Sequence, residues 1–294
     1  YKYPDFDKMG YVKIGMDEED HFTKWCVDKA IDWIRYSAQE KKEMPDFQSP
    51  PWFYNINIFD PHHALDPPKR LLDKYLEKID QLPMPKYIPD ELKKKTIFQK
   101  QDHESAYNNR ETPHHFVFDE MTDYEHKLIK AAYYAMVEMI DIQFGRLMDT
   151  LEETGEIDNT IVIFTSDHGE MLGDHGIYLK GPYFYEGLAH VPLIISWKGH
   201  FQRGVRLQTL TELTDLVPTI EEFCLGEIEP GVQGISLADI LTGDKDPNGH
   251  RDSVYSEYYE AMPWHKYPEA YGTMVFDGRY KLSRFHTSKE GELY

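Results

Sequence analysis

Thr160-Ile161-Val162-Ile163-Phe164-Thr165-Ser166-Asp167-His168-Gly169-Glu170 is the stretch on which the fold turns. β-Branched and aromatic residues dominate its first six positions, the composition of a buried strand. The run stops at Ser-Asp-His-Gly, so an acidic residue and an imidazole are delivered to the strand's carboxyl end. In an open α/β sheet, ligands bind just outside those ends. Gly169 lets the backbone turn, so Asp167 and His168 can face one centre as metal ligands. A carboxylate plus an imidazole suits several divalent ions and does not choose between them. Two ligands do not complete a site. Spacing alone leaves a capping carboxylate and a packed imidazole as an equal alternative.

Lys180 comes twelve residues after His168 and is followed by Gly181. An ammonium in that loop can neutralise an oxyanion of sulfate or phosphate. Upstream, Trp52 to Phe59 reads as another strand, and it runs into Asp60-Pro61-His62-His63. His62 or His63 can donate to a leaving-group oxygen or to the anion. His175, in Gly173-Asp174-His175-Gly176, is a third imidazole, and a turn residue bonded to backbone is an equal reading of it. A lysine, two or three histidines and a partial metal site suggest cleavage of an anionic ester. A nucleophile is missing. Cys26 and Cys224 sit inside apolar helical patterns and read as inert core thiols. Ser166 points to the other side of its strand. Neither a Gly-x-Ser-x-Gly elbow nor a Walker phosphate loop occurs.

The rest of the chain alternates helices and strands. Apolar residues three and four apart after Asp17-Glu18-Glu19-Asp20 predict a helix over about 18–40. A short helix follows near 69–78. Residues 82–118, with four prolines, read as a long surface excursion with a short helix near 90–95. The His114-His115 pair falls in it and reads as two loop histidines. Thr122-x-x-Glu125 is a capping box, and the apolar spacing after it predicts a helix over 123–154 closed at Gly155. Asp141 and Asp149 fall on its solvated face. Val191 to Trp197 reads as a further buried strand, Leu213 to Phe223 as a helix, and 236–241 as a short helix closed by Gly243.

After the turn-rich Asp244 to Asn248 the pattern changes to short strands at 253–258, 272–276 and 279–284. Asp277-Gly278 reads as a two-residue hairpin turn. The expected fold is α/β: a mixed, mostly parallel central sheet flanked by helices over 1–245, then the start of a small antiparallel C-terminal subdomain over 246–294.

Charge and cysteine usage narrow the partners. The 32 basic and 52 acidic residues give a net charge of −20, which argues against nucleic acid or an anionic membrane. A small anionic substrate stays open, because local groups override the global field within a Debye length of about 10 Å. Two cysteines make no disulfide scaffold and leave the compartment open. No apolar run reaches the length of a membrane span. The sequence begins at Tyr1 without Met and reads as the middle of something longer.

Taken together, Asn159 to Gly176, Lys180-Gly181 and Val191-Pro192-Leu193-Ile194-Ile195 resemble the sulfatases of the alkaline phosphatase superfamily. Phe59-Asp60-Pro61-His62-His63 with Pro67-Pro68 is similar to that family's Pro-His loop. Leu213 to Ile220, then Gly234-Ile235-Ser236-Leu237, resembles the segment after its core sheet. Arg279-Tyr280-Lys281-Leu282 and Glu292-Leu293-Tyr294 resemble its small C-terminal subdomain. The resemblance implies hydrolysis of a sulfate monoester at a site with one divalent cation, usually calcium. By analogy Asp167 and His168 are metal ligands, although many relatives carry Asn where His168 stands. Lys180 and His62 would contact the sulfate, with His63 the alternative if the loop register shifts by one. The substrate would be a sulfated small molecule or glycan. A periplasmic, secreted or lysosome-like compartment would follow by resemblance alone.

Two family motifs are absent from 1–294: an N-terminal Asp-Asp pair, and the C/S-x-P-x-R segment whose Cys or Ser becomes the formylglycine nucleophile. The expectation is therefore an internal piece of a sulfatase, inactive alone, with formylglycine in an N-terminal segment outside it. Lys, His and metal serve phosphoryl oxygens equally, so a phosphonate monoester or phosphodiester hydrolase is an alternative. A non-catalytic anion- or glycan-binding module is another.

Overall fold

The computed structural model describes residues 5–6, 10–44, 50–108, 116–260, 265, 268–287, 289 and 291–294. In chain order its elements are β1 (Asp5–Phe6), β2 (Lys13–Ile14), α1 (Phe22–Glu43), α2 (Lys69–Leu76), α3 (Ile97–Glu104) and α4 (Asp123–Thr154). Then come β3 (Val162–Thr165), α5 (Glu186–Ala189), β4 (Leu193–Ser196), α6 (Leu216–Leu225) and α7 (Ala238–Thr242). β5 (Val254–Tyr259), β6 (Tyr271–Phe276), β7 (Lys281–Phe285) and β8 (Gly291–Leu293) complete the chain. They form two compact units, each discontinuous in sequence. The first contains Tyr1–Tyr87, Arg110–Asn159 and Leu172–Gly176; the second contains Ile88–Asn109, Thr160–Met171 and Ile177–Tyr294.

The first unit is built on α4. Thr122 accepts from the Glu125 N–H, and Glu125 reaches back to the Thr122 N–H at 2.7 Å, which satisfies two orphan donors at the helix start. Gly155 ends the helix in the left-handed region at φ 79°. α1 and α2 both pack on α4. α1 buries Val27, Ala30, Ile31, Ile34 and Ala38, the stripe its 3.6 period predicts. Leu71, Ala135 and Met139 form a fully buried cluster flanked by Tyr75 and Ile142. Burial of each large side chain contributes about 1.5–3 kcal/mol. Asp141 and Asp149 are exposed.

The second unit carries the remaining strands. β3 pairs antiparallel with β4, from Val162↔Ser196 to Thr165↔Leu193. Parallel pairing among the described residues is confined to two isolated bridges in the first unit, Val12 with Leu65 and Met16 with Pro68. β5, β6, β7 and β8 form an antiparallel sheet in that order. One face turns inward at Met274, Ser283 and Phe285; the other exposes Tyr255, Val275, Leu282 and Leu293 in cross-strand register. Phe98 of α3, Ala270 and Phe285 form the core beneath it.

Several local expectations are corrected. β3 and β4 are half-buried rather than buried, and Ile194 is exposed; among the described residues each has one ladder partner, the other. Residues 52–59 form no strand among the described residues; a strand exists only where a second segment accepts its ladder. The excursion at 82–118 contains α3, opened by a Thr96/Gln99 capping box. The hairpin loop between β6 and β7 has four residues, since Phe276 pairs with Lys281. The Asp277 carboxylate accepts from the N–H groups of Arg279 and Tyr280 and so holds the longer turn. Cys224 is exposed at the end of α6, so it is not a core thiol; Cys26 is half-buried and its thiol is pushed up by burial. His114 and His115 lie outside the described residues.

Candidate active site

The expected metal pair sits immediately beyond β3. Asp167 Oδ1 accepts the backbone N–H of His168 at 2.8 Å, and the Ser166 hydroxyl donates to the His168 carbonyl at 2.8 Å. These bonds turn the chain sharply after Thr165. The His168 Nδ1 lies 2.8 Å from the Gly169 carbonyl. A carbonyl only accepts, so Nδ1 carries the proton and Nε2 is left with its lone pair. Nε2 lies 3.6 Å from Asp167 Oδ2. A ring nitrogen and a carboxylate oxygen this close are ligand types that can share a cation. The segment behind them is pinned: Gly169 N–H donates to the Leu188 carbonyl at 2.9 Å and Glu170 N–H to the Gly187 carbonyl at 3.0 Å. The approach requires Gly169, because a Cβ there would stand 1.9 Å from the Gly187 oxygen.

Lys180 joins this pair within the second unit. Its backbone is set by two bonds just before it: Met171 N–H to the Leu179 carbonyl at 3.1 Å, and Leu179 N–H to Glu170 Oε1 at 2.5 Å. Leu179 holds φ 66°. Burial makes the Lys180 ammonium less basic than usual, while the Glu170 and Asp167 carboxylates oppose that shift. Its Nζ lies 5.8 Å from the centre of the Tyr107 ring, within cation–π reach. An ammonium facing two carboxylates and an aromatic ring is a ready counter-charge for an anion.

The other expected residues belong to the first unit. His62 Nδ1 lies 2.5 Å from the His63 carbonyl, and since a carbonyl only accepts, Nδ1 carries a proton. The His62 ring stacks on His63 at 4.2 Å and tilts against Phe59 at 4.7 Å. His175 sits in a left-handed turn, φ 58°, and its N–H donates to the Lys86 carbonyl at 2.7 Å. Asp174 accepts the Lys86 N–H at 2.8 Å and closes that turn. The structure thus brings together Asp167, His168 and Lys180 in one unit, and His62 with His63 in the other.

His21, Asp60 and Asp66 present a second set of metal-ligand types in the first unit. Bonds already account for the imidazole. Its Nε2 donates to the Asp66 carbonyl at 3.1 Å, and its Nδ1 accepts the Thr23 N–H at 3.3 Å as the N-cap of α1. The Thr23 hydroxyl donates to Asp60, whose acidity burial weakens. Within this cluster His21 serves as the N-cap of α1.

Glu170 and Tyr107 were not singled out from the sequence. Glu170 belongs to the deciding stretch, but its role rests on an N–H nine residues later. Tyr107 carries no motif; the φ of 60° that shapes its turn is invisible in residue order.

Comparison with known proteins now identifies the class. The family profile described as Sulfatase matches residues 6–223, and that described as N-sulphoglucosamine sulphohydrolase, C-terminal, matches residues 173–294. The chain belongs to the sulfatase family, a group of hydrolases in the alkaline phosphatase superfamily. An arylsulfatase of Clostridium perfringens is 34% identical over 248 residues, covering 83% of this chain and 46% of that protein. A phosphonate monoester hydrolase of Silicibacter pomeroyi superposes with TM-score 0.74 at 25% identity, covering 99% of this chain and 58% of that one. A structure described as bound to its substrate D-glucosamine-2-N,6-O-disulfate superposes with TM-score 0.71 at 23% identity, over 92% of this chain and 62% of its own. The chain spans 46% to 62% of the length of these three proteins. No helix among the described residues is long and apolar enough to cross a membrane.

Proposed function

We propose that the full-length protein is a sulfuric ester hydrolase acting on a sulfated small molecule or glycan. The observation that carries this reading is the Asp167–His168–Lys180 arrangement: a carboxylate oxygen and a ring nitrogen 3.6 Å apart, with an ammonium on which the same carboxylate acts. Asp167 Oδ2 and His168 Nε2 would hold one divalent cation, calcium by family resemblance. The cation supplies Lewis-acid polarisation of the sulfate oxygens. Lys180 neutralises negative charge that grows on those oxygens as the ester bond breaks. Glu170 and Asp167 favour its charged form against burial. His62, with Nδ1 tied to a carbonyl, is assigned to contact with the sulfate and, in its protonated form, to donation to the leaving oxygen, with His63 next to it in the loop. His175 is assigned to substrate binding. The nucleophile is a formylglycine outside residues 1–294, so this chain alone is inactive. A compartment outside the cytosol suits the reading. The division at residue 245 is kept as the boundary of the small C-terminal subdomain.

A second reading is favoured by the superposition on a phosphonate monoester hydrolase. Rates of the full-length protein on an aryl sulfate and on an aryl phosphonate monoester decide between them. Faster cleavage of the sulfate, abolished by Asp167→Ala, supports the proposal. Cleavage of the phosphonate alone overturns it.

A further inference from the structure

Behind the Lys180 loop lies a buried carboxylate–imidazole pair that none of the roles above uses. Asp102, on α3, has a side chain at 0% exposure, and both its oxygens lie 3.0 Å from Nε2 of His265, also at 0%. The same carboxylate accepts the Tyr183 hydroxyl at 3.3 Å. Tyr183 is three residues past Lys180, and its own N–H closes back on the Gly181 carbonyl at 2.8 Å. Between them, Gly181 is seated on the carboxylate: a Cβ there would stand 2.8 Å from Asp102 Oδ2 and 2.7 Å from the Tyr183 ring. The loop carrying Lys180 is thus folded around Asp102. His265 in turn meets the Phe98 ring edge-to-face at 5.9 Å, and Phe98 belongs to the core under the C-terminal sheet.

A buried pair of this kind adds little net stability compared with apolar residues of the same shape. What it supplies is direction. The carboxylate offers fixed acceptors at one point, and His265 holds it from the far side. An apolar residue would leave the Tyr183 hydroxyl buried without an acceptor and the Lys180–Tyr183 turn free to shift. A displacement of about 1 Å at a charge-stabilising group can lower a rate by about a hundredfold.

We propose that Asp102, oriented by His265, is a positioning residue for Lys180, acting through Tyr183 and Gly181. The inference rests on the role given to Lys180 above, and its test is arranged to separate the two. In the full-length protein, Asp102→Ala is expected to lower kcat on an aryl sulfate by about tenfold to a hundredfold. Asp102→Asn, which keeps an acceptor for Tyr183, recovers most of that loss, and Tyr183→Phe shows an intermediate loss. Phe98→Leu is the control: it loosens the adjacent core and lowers Tm, with kcat unchanged below Tm. Equal behaviour of Asp102→Ala and Phe98→Leu, a lower Tm and an unaltered kcat, would overturn the proposal.

A second readout does not need turnover. Amide exchange at Lys180, Gly181 and Tyr183, and acylation of the Lys180 amine, are followed by mass spectrometry in the same variants. Asp102→Ala is expected to speed both at least fivefold, with Asp102→Asn near the parent. If the parent protein cleaves no sulfate ester, the functional reading fails and these rates decide the positioning role on their own. Unchanged rates in Asp102→Ala would refute it.

Discussion

The backbone N–H of Leu179 donates to Oε1 of Glu170 at 2.5 Å. One carboxylate therefore closes the loop that presents Lys180 and also raises the basicity of its ammonium. The two effects separate by mutation. Glu170→Gln keeps the acceptor and removes the charge, so Lys180 becomes less basic still. The alkaline limb of the kcat/KM profile in full-length protein then moves to lower pH. Glu170→Ala also removes the acceptor and costs about 1–3 kcal/mol of stability, read as a lower denaturation midpoint.

Metal binding gives the next expectation. Calcium added to full-length protein raises Tm, because a ligand at a hundred times its Kd stabilises the folded state by about 2.7 kcal/mol. Asp167→Ala and His168→Ala each abolish that shift, and His21→Ala does not, since its nitrogens serve the start of α1. A calcium response that survives in both Asp167→Ala and His168→Ala would remove this pair from the metal site.

Legibility in the sequence followed the range of the interactions. α4 could be read to the residue because Thr122, Glu125 and Gly155 act within one turn of its ends. β3 and the polar tip at Asp167 were legible for a similar reason: composition changes abruptly there. α3 was hidden because it has only eight residues, too few to show a clear apolar period, and it follows the charges of Lys93, Lys94 and Lys95. Residues 52–59 have strand composition, but no ladder partner is encoded in their own order. Asp102 and His265 are 163 residues apart, and neither sits in a motif, so their pairing was out of reach.

Gly169 offers a steric test. Gly169→Ala forces a Cβ onto the Gly187 carbonyl, and the backbone must yield on one side. The expected loss is about 1–3 kcal/mol, with weakened calcium binding because His168 is the preceding residue. A Gly169→Ala protein with parental Tm and calcium response would show that the approach is not required.

Asp215 anchors a separate knot in the second unit. Fully buried, it accepts the N–H groups of Ile235 at 2.8 Å and Glu212 at 2.9 Å and pairs with Arg251. Glu212 takes the other arm of Arg251 at 2.8 Å. Asp215→Ala leaves two N–H groups without their acceptor and the Arg251 guanidinium with Glu212 alone, a loss of about 3–5 kcal/mol. The denaturation midpoint measures it. Arg251→Ala in the same background costs less than it does alone, because the two share one interaction.

His126 sets an acid limit. Burial against Phe118 holds its imidazole below the usual value near 6.5, with Lys130 adding to the effect and Asp123 and Glu125 opposing it. Between the folded and ordinary values the unfolded chain binds more protons. Stability therefore falls as pH drops below about 6.5 and stops falling below the folded value. His126→Leu flattens this part of the curve in denaturant titrations; an unchanged slope would assign the acid sensitivity elsewhere.

Lys281 of β7 donates to the Phe184 carbonyl at 3.1 Å and pairs with Glu186, across nearly a hundred residues of chain. During synthesis the candidate ligands and Lys180 emerge long before the strand that braces the next turn of their loop. A nascent chain halted near residue 250 would carry every proposed site side chain, yet His265 and Lys281 would still be unmade. Assembly of the second unit thus waits until Lys281 has been made, and a chaperone would meet its half-built loop first.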